Sequence, residues 1–511
     1  MATLTLGAPL AEDLLLAVAD GAHPKLRFGR EAQARVRAAR ATVETIVASG
    51  RPVYGVNTGF GALASRSIDA ADTGTLQRNL LLSHAVGCGA DMPAEEKRLA
   101  LLLRIQSMCQ GVSGVRPEVV RWLVKMFDSG WLPRVPEQGS VGACGDLAPL
   151  AHLALPLVGA GEMISPQGKQ LPARRALKQI GLQPIELAAK EGLALINGVQ
   201  ISNAIGLAAL ARLRRLSASA DVAGALSVEG LLGSHRPFDP RVVEVRPHPG
   251  AAATARNLRK LLRGSQVAKA HAQCERVQDP YSFRCMPQVH GAAKDAVAHL
   301  AAVLVREANA ATDNPLVFPD RGDSISAGNF HGQPIALPLD YAVNALCSWG
   351  NISERRTSEL IHPAMSGLPA FLTPAPGLNS GLMIPQVVAA ALISENKVLA
   401  HPASADSVTT SADQEDHVSM ANHAARKLRQ AVWNTERVLA IEFYTAAQAR
   451  EFHLELRAGK GAQAAYECMR AEIPALQEDR YMGPELDQAH ELVRSGALLA
   501  AAEGAAGKLV R

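Results

Sequence analysis

One run of this chain crowds small residues together: Gly139-Ser140-Val141-Gly142-Ala143-Cys144-Gly145-Asp146-Leu147-Ala148-Pro149-Leu150. Two readings of it stand side by side. In the first it is a tight turn that opens a helix, with Asp146 capping the free N–H groups of the first helical turn. In the second it is a reactive peptide. The Gly145 amide nitrogen attacks the Ala143 carbonyl, water is lost and a five-membered imidazolone closes; only tiny flanking side chains permit that approach. Loss of the Cys144 sulfur as hydrogen sulfide then leaves an exocyclic methylidene, an electrophile that no standard side chain matches.

Other segments hold polar or aromatic groups in unusual surroundings. Tyr54 to Gly61 (YGVNTGFG) places three glycines in eight positions, which asks for special backbone angles or a close backbone approach. Gln278 to Arg284 (QDPYSFR), Gly328 to Gln333 (GNFHGQ) and Ser411 to Ser419 (SADQEDHVS) gather hydrogen-bonding side chains in loops, where a rigid scaffold commonly displays chemistry. Taken singly, Tyr54 also reads as a buried ring with one hydrogen bond, and Arg284 as a surface charge. His417 and His423 belong to no HExxH motif or tight His/Cys cluster, so no metal is expected, and no GxGxxG lies between a strand and a helix to hold a nucleotide.

These groups need a scaffold, and the composition points to helices. Hydrophobic residues make up 48% of the chain, enough for a sizeable core, and aromatics are only 4% while Ala and Leu are abundant, which favours helix because these side chains lose little rotamer freedom there. Helical segments are expected over 32–48 and 94–108, with a Gly-rich turn over 53–64 between them. Long rods are expected over 203–232, 291–311, 339–361, 386–399 and 416–452, the last about 55 Å long if unbroken. Rods of that length need neighbours to cover their apolar stripes, so a bundle that also builds an oligomer is expected. The fold class is all-α, with an N-terminal helical domain (1–210) carrying the small-residue loop and a C-terminal bundle of long helices (211–511).

Charge and cysteine usage exclude several classes. Lys and Arg number 52 against 48 Asp and Glu, scattered rather than striped, which argues against nucleic-acid binding. The densest basic run, Arg256 to Arg263, reads as one exposed helix face with Leu258, Leu261 and Leu262 turned inward. Seven cysteines without CxxC spacing suggest neither a disulfide framework nor a zinc knuckle, and fit a reducing cytoplasm. Glu12 and Asp13 inside the first apolar run are unlike a signal peptide, and no run reaches the roughly 18 apolar residues that span a bilayer.

The ordered series YGVNTGFG at Tyr54, LLSHAVG at Leu81, GSVGACGDLAPLAHLAL at Gly139, KEGLALINGVQ at Lys190, QDPYSFRC at Gln278, DNPL at Asp313, GNFHGQP at Gly328, SERR at Ser353 and QEDHVSM at Gln414 resembles the histidine ammonia-lyases. These are a branch of the aromatic amino-acid lyases that carry a methylidene-imidazolone. The resemblance implies a 4-methylidene-imidazol-5-one formed autocatalytically from Ala143-Cys144-Gly145, and elimination of ammonia from L-histidine to give urocanate. Cys144 departs from the family's usual Ala-Ser-Gly, but a thiol leaves by the same elimination.

The resemblance also assigns roles. It implies that Tyr54 is the base, its phenol shifted below the ordinary value near about 10 by a positive environment. Tyr281 handles the amino group or the ring-forming step. Arg284 clamps the substrate carboxylate with its planar fork, Asn197 and Gln278 are donors, and Phe330 is pocket wall. His84 suits a polar substrate ring, and Glu415 holds an imidazole N–H, a carboxylate being costly to bury against a phenyl group. A homotetramer with shared active sites is implied, without nucleic acid, membrane or metal. The rival expectations are a tyrosine ammonia-lyase or aminomutase with the same electrophile, and a ring-free lyase or binding scaffold should Cys144 stay unprocessed.

Overall fold

The computed structural model describes residues 3–267 and 277–511. The chain divides into two compact units: 1–211 with 301–340 and 402–426, and 212–300 with 341–401 and 427–511. Helices dominate both, and the strands are short pieces of two to four residues in small sheets, such as the parallel pair Thr3–Leu6 and Lys25–Phe28. The all-α expectation therefore holds.

In the first unit α1 (Arg30–Ala48) turns Val36, Ala39, Val43 and Ile46 inward. α2 (Thr73–His84) ends at His84, and α3 (Ala94–Met108) is buried along nearly its whole length. Glu95 and Glu96 in its first turn oppose the positive end of the helix dipole. The segment 53–64 is a turn-rich loop, as its glycines suggested. Asn57 Oδ1 accepts from the Val53 N–H at 2.8 Å and its Nδ2 donates to the Arg51 carbonyl, bonds that compete with a helical ladder. Gly55, at φ +70°, lies so close to Leu193 that a Cβ there would sit 2.4 Å from Cδ2.

α4 (Leu147–Ala154) follows the small-residue loop, and Asp146 does not cap it as the sequence suggested. Its carboxylate accepts from Ser202 N and Ser202 Oγ, both at 2.7 Å, and from Ser140 Oγ at 3.2 Å. Ser202 lies in the first turn of the long helix that begins at Gln200, so Asp146 satisfies free N–H groups of that helix rather than of its own. Burial pushes its carboxyl up to about 6, against the pull of these hydrogen bonds. Further on come α5 (Ala173–Gln179) and α6 (Glu191–Ile196).

After α7 (Gln200–Gly230) a shorter helix, α8 (Pro249–Leu261), carries most of the basic run, and the other rods expected from periodicity appear as α9 (Met286–Ala308), α10 (Gln333–Ile361), α11 (Met383–Leu399) and α12 (Ala421–Arg450). The last has 30 residues, about 45 Å. On α8 and just after it, Leu258, Leu261 and Leu262 are buried, as the basic run implied. In the second unit the rods are pinned by buried ions. Arg356 forks onto Glu442 at 2.5 and 2.8 Å, while Asp221 takes His290 Nδ1 at 2.8 Å and Lys294 Nζ at 3.1 Å. Such groups are tolerable without water because each charge is paired. No helix among the described residues is long and apolar enough to cross a membrane.

Candidate active site

A cavity of about 570 Å³ opens in the first unit, and Tyr54, His84, Cys144, Asn197 and Glu415 all line it. That volume is in the range of small-molecule sites. The five come from separate stretches of chain: the Gly-rich loop, the C-terminal end of α2, the small-residue loop, the residue after α6 and the loop that returns over 402–426.

The small-residue loop is clamped on both sides. Asp146 N donates to the Gly198 carbonyl at 2.7 Å, and Met420 N donates to the Val141 carbonyl at 2.9 Å. At Gly145, φ is +85° and an added Cβ would lie 2.2 Å from the Gly198 oxygen; at Gly142 it would lie 2.2 Å from Ser419 Oγ. Cys144 adopts φ +46°, which L residues seldom do. Ala143 packs against Val418 and Met420. Gly145→Ala is therefore expected to destabilise the protein by about 3 kcal/mol or more, combining backbone strain with overpacking. A denaturant midpoint equal to that of the parent would contradict the clamp.

Cys144 Sγ donates to Glu415 Oε1 at 3.1 Å, and Thr410 Oγ1 donates to Glu415 Oε2 at 2.6 Å. Reciprocal backbone bonds between Thr410 and Glu415 close the turn, whose residues Ser411, Ala412 and Asp413 all have positive φ. Nothing in the sequence announced Thr410. Burial, then the hydrogen bond to Glu415 and its charge, push the Cys144 thiol far up, so it stays protonated and serves as the donor.

Asn197 is 1% exposed, yet neither atom of its side-chain amide has a hydrogen-bond partner among the described residues. An orphaned amide in a cavity wall is costly unless something else satisfies it. Its backbone carbonyl is held by Arg104 Nη1 at 2.7 Å, and Arg104 also reaches Gln200 Oε1 at 3.1 Å and the Thr312 carbonyl at 3.2 Å. Arg104 is a positioning residue that sequence reasoning missed, since 93 residues separate it from Asn197.

Burial raises the Tyr54 phenol above its ordinary value, partly offset by the Gly61 N–H that it accepts at 3.4 Å, with Cys144 and Glu415 pushing it further up. The expected downward shift is thus reversed: the neighbours that act on Tyr54 are the Glu415 carboxylate and the acidic group of Cys144, not cations. Burial lowers His84, against a smaller upward pull from the Leu80 carbonyl and Glu415, so its imidazole is neutral near pH 7.

The remaining candidates lie elsewhere. Phe330 is in the first unit, half-buried, and does not line the cavity. Gln278, Tyr281 and Arg284 belong to the second unit. There Tyr281 is 71% exposed, and Arg284 stacks on its ring at 4.4 Å while donating to the Asp279 carbonyl at 3.1 Å.

The family model of the aromatic amino acid lyases matches residues 10–471. The chain belongs to the aromatic amino acid lyase family. It is 54% identical to the histidine ammonia-lyase of Deinococcus radiodurans, over 94% of this chain and 92% of that one. It is 52% identical to the histidine ammonia-lyase of Sorangium cellulosum, over 99% and 100%. Among solved structures it is similar to histidine ammonia-lyase from Trypanosoma cruzi, with TM-score 0.91, 42% identity, and coverage of 99% of this chain and 95% of that one. The tyrosine aminomutase from Streptomyces globisporus superimposes with TM-score 0.94 at 33% identity, each chain fully covered. The shared fold thus spans a lyase and a mutase named for different amino acids.

Proposed function

We propose that the protein eliminates ammonia from L-histidine to give trans-urocanate, with an electrophile made from Ala143-Cys144-Gly145. The observation that carries this reading is the lining of one cavity by Glu415, His84, Tyr54, Asn197 and Cys144. It is supported by the names of relatives about half identical along nearly the whole chain.

The residues present fit a methylidene-imidazolone. The loop is clamped where a Cβ at Gly142 or Gly145 has no room, Cys144 already has left-handed backbone, and the Asn197 amide lies in the cavity wall without a partner among the described residues. Once formed, such a ring supplies an electrophilic carbon that turns the substrate's amino group into a leaving group.

The rest is done by side chains. Glu415 holds the imidazole N–H of the substrate, and a charge-assisted bond of that kind is worth about 1.5–3 kcal/mol. Neutral His84 accepts or donates at the same polar ring without adding charge. Tyr54 takes the β-proton, which is only weakly acidic and needs a strong base. A phenol raised by burial is a stronger base once ionised, but fewer molecules are ionised, tenfold fewer for about every 1.4 kcal/mol by which burial disfavours the phenolate. A cation brought near it would restore that population.

Arg284 would be such a cation. We assign Arg284 to the substrate carboxylate, Gln278 and Tyr281 to the amino group and the electrophile, and Phe330 to the wall, supplied by further copies of the chain in a homotetramer. The exposure of Tyr281 supports this, as does the lack of a carboxylate partner on Arg284 among the described residues.

The test is to separate purified protein by size and follow urocanate by ultraviolet absorbance in each fraction given L-histidine, with L-tyrosine and L-phenylalanine in parallel. Urocanate from the oligomeric fraction alone is expected. Cinnamate-type product from tyrosine, with none from histidine, would replace the substrate assignment, and a fully active monomer would end the shared-site assignment.

A further inference from the structure

A second cavity, of about 460 Å³, lies in the first unit on another side of α2. Its floor is apolar, with Val158 and Leu187 buried, and its rim carries Thr75, Arg78, Arg174 and Glu186. Among the described residues neither guanidinium has an ion-pair or hydrogen-bond partner, and the Glu186 carboxylate is likewise unpaired. Only the Glu186 backbone carbonyl is engaged, by Arg116. The Arg174 stem lies against the turn at Gly159, where an added Cβ would be 3.3 Å from both its Cγ and its Cζ. Both arginines and Glu186 are exposed to solvent, and they border a cavity of metabolite size where a guanidinium fork can take a carboxylate or phosphate.

We propose that this cavity binds a phosphate group, free or as a small monoester, and that binding is transmitted to the catalytic cavity through α2. The charges select the ligand. Two guanidinium groups take the phosphate oxygens, and a P–O–H or an ester's own hydroxyl donates to Glu186, which would repel an oxyanion that has no proton to give. The apolar floor suits the carbon skeleton of an ester. Transmission follows from the helix itself. Gly74, Thr75 and Arg78 line this cavity, while Asn79, Leu80, Ser83 and His84 line the other, so one rigid helix of 12 residues borders both. The binding is independent of the proposed lyase reaction, whereas the transmission rests on it.

Calorimetry of the assembled protein with inorganic phosphate, glycerol 3-phosphate and sulfate separates the two parts of the proposal. Saturable binding of one phosphate per chain is expected, weakened about tenfold or more in an Arg78→Gln/Arg174→Gln double variant, with sulfate weaker than phosphate. Tighter binding of glycerol 3-phosphate marks an ester as the ligand, and tighter binding of inorganic phosphate marks the free ion. No saturable binding, equal binding by the double variant, or sulfate binding as tightly as phosphate overturns the site. Kinetics with histidine, with and without phosphate, are expected to show a shifted KM in the parent and none in the double variant. An unshifted KM in a protein that binds phosphate overturns the transmission alone.

Discussion

Cys144→Ala is expected to lower histidine turnover by about 10³-fold or more, the scale on which removal of an essential reacting group is felt. Alanine has no leaving group on Cβ, so the methylidene cannot form, while the backbone bonds to Gly198 and Met420 leave the loop in place. Intact mass gives a second readout. The parent should lack one water and one hydrogen sulfide relative to its sequence, whereas the Ala variant lacks no hydrogen sulfide. Cys144→Ser supplies the control, since a hydroxyl leaves as water by the same elimination and fits the same left-handed position. It should lack two waters and keep turnover within about tenfold of the parent. A parent of full, unprocessed mass that still makes urocanate would show that the electrophile lies elsewhere.

The second large effect is expected at Glu415. Glutamine has nearly the same shape, so its side-chain oxygen still accepts from the Cys144 thiol or from Thr410, and the loop and its processing should survive. What disappears is the negative charge. Losing a charge-assisted bond to the substrate ring costs about 1.5–3 kcal/mol, and any proton handling by the carboxylate adds to that. Glu415→Gln should therefore reduce kcat/KM for histidine by roughly 100-fold or more, with the intact mass of the parent. Turnover equal to the parent's would remove Glu415 from substrate recognition.

Much of the scaffold is legible in the sequence because periodicity is a local property. The segment 94–108 matches α3 at both ends, and the long rods appear within a few residues of where the apolar stripes place them. The turn at 53–64 is legible from its glycines, whereas the bonds by which Asn57 holds it, to the Val53 N–H and the Arg51 carbonyl, are not. Asp146 misleads for a related reason. Its neighbours in sequence make it a cap for α4, whereas the Ser202 N–H and hydroxyl, 56 residues away, are the better donors.

By itself the sequence determined the family and singled out the small-residue loop at Ala143-Cys144-Gly145, because both reside in contiguous strings whose residue types survive without knowledge of contacts. Tertiary structure decided what those strings meet. The return of 402–426 to the first unit sets Glu415 3.1 Å from a thiol 271 residues earlier in the chain, and Arg104 fixes Asn197 across a gap of 93. It also reversed the expected shift of Tyr54, since the dominant cause is burial, and burial belongs to the packed chain rather than to the residues beside Tyr54 in sequence.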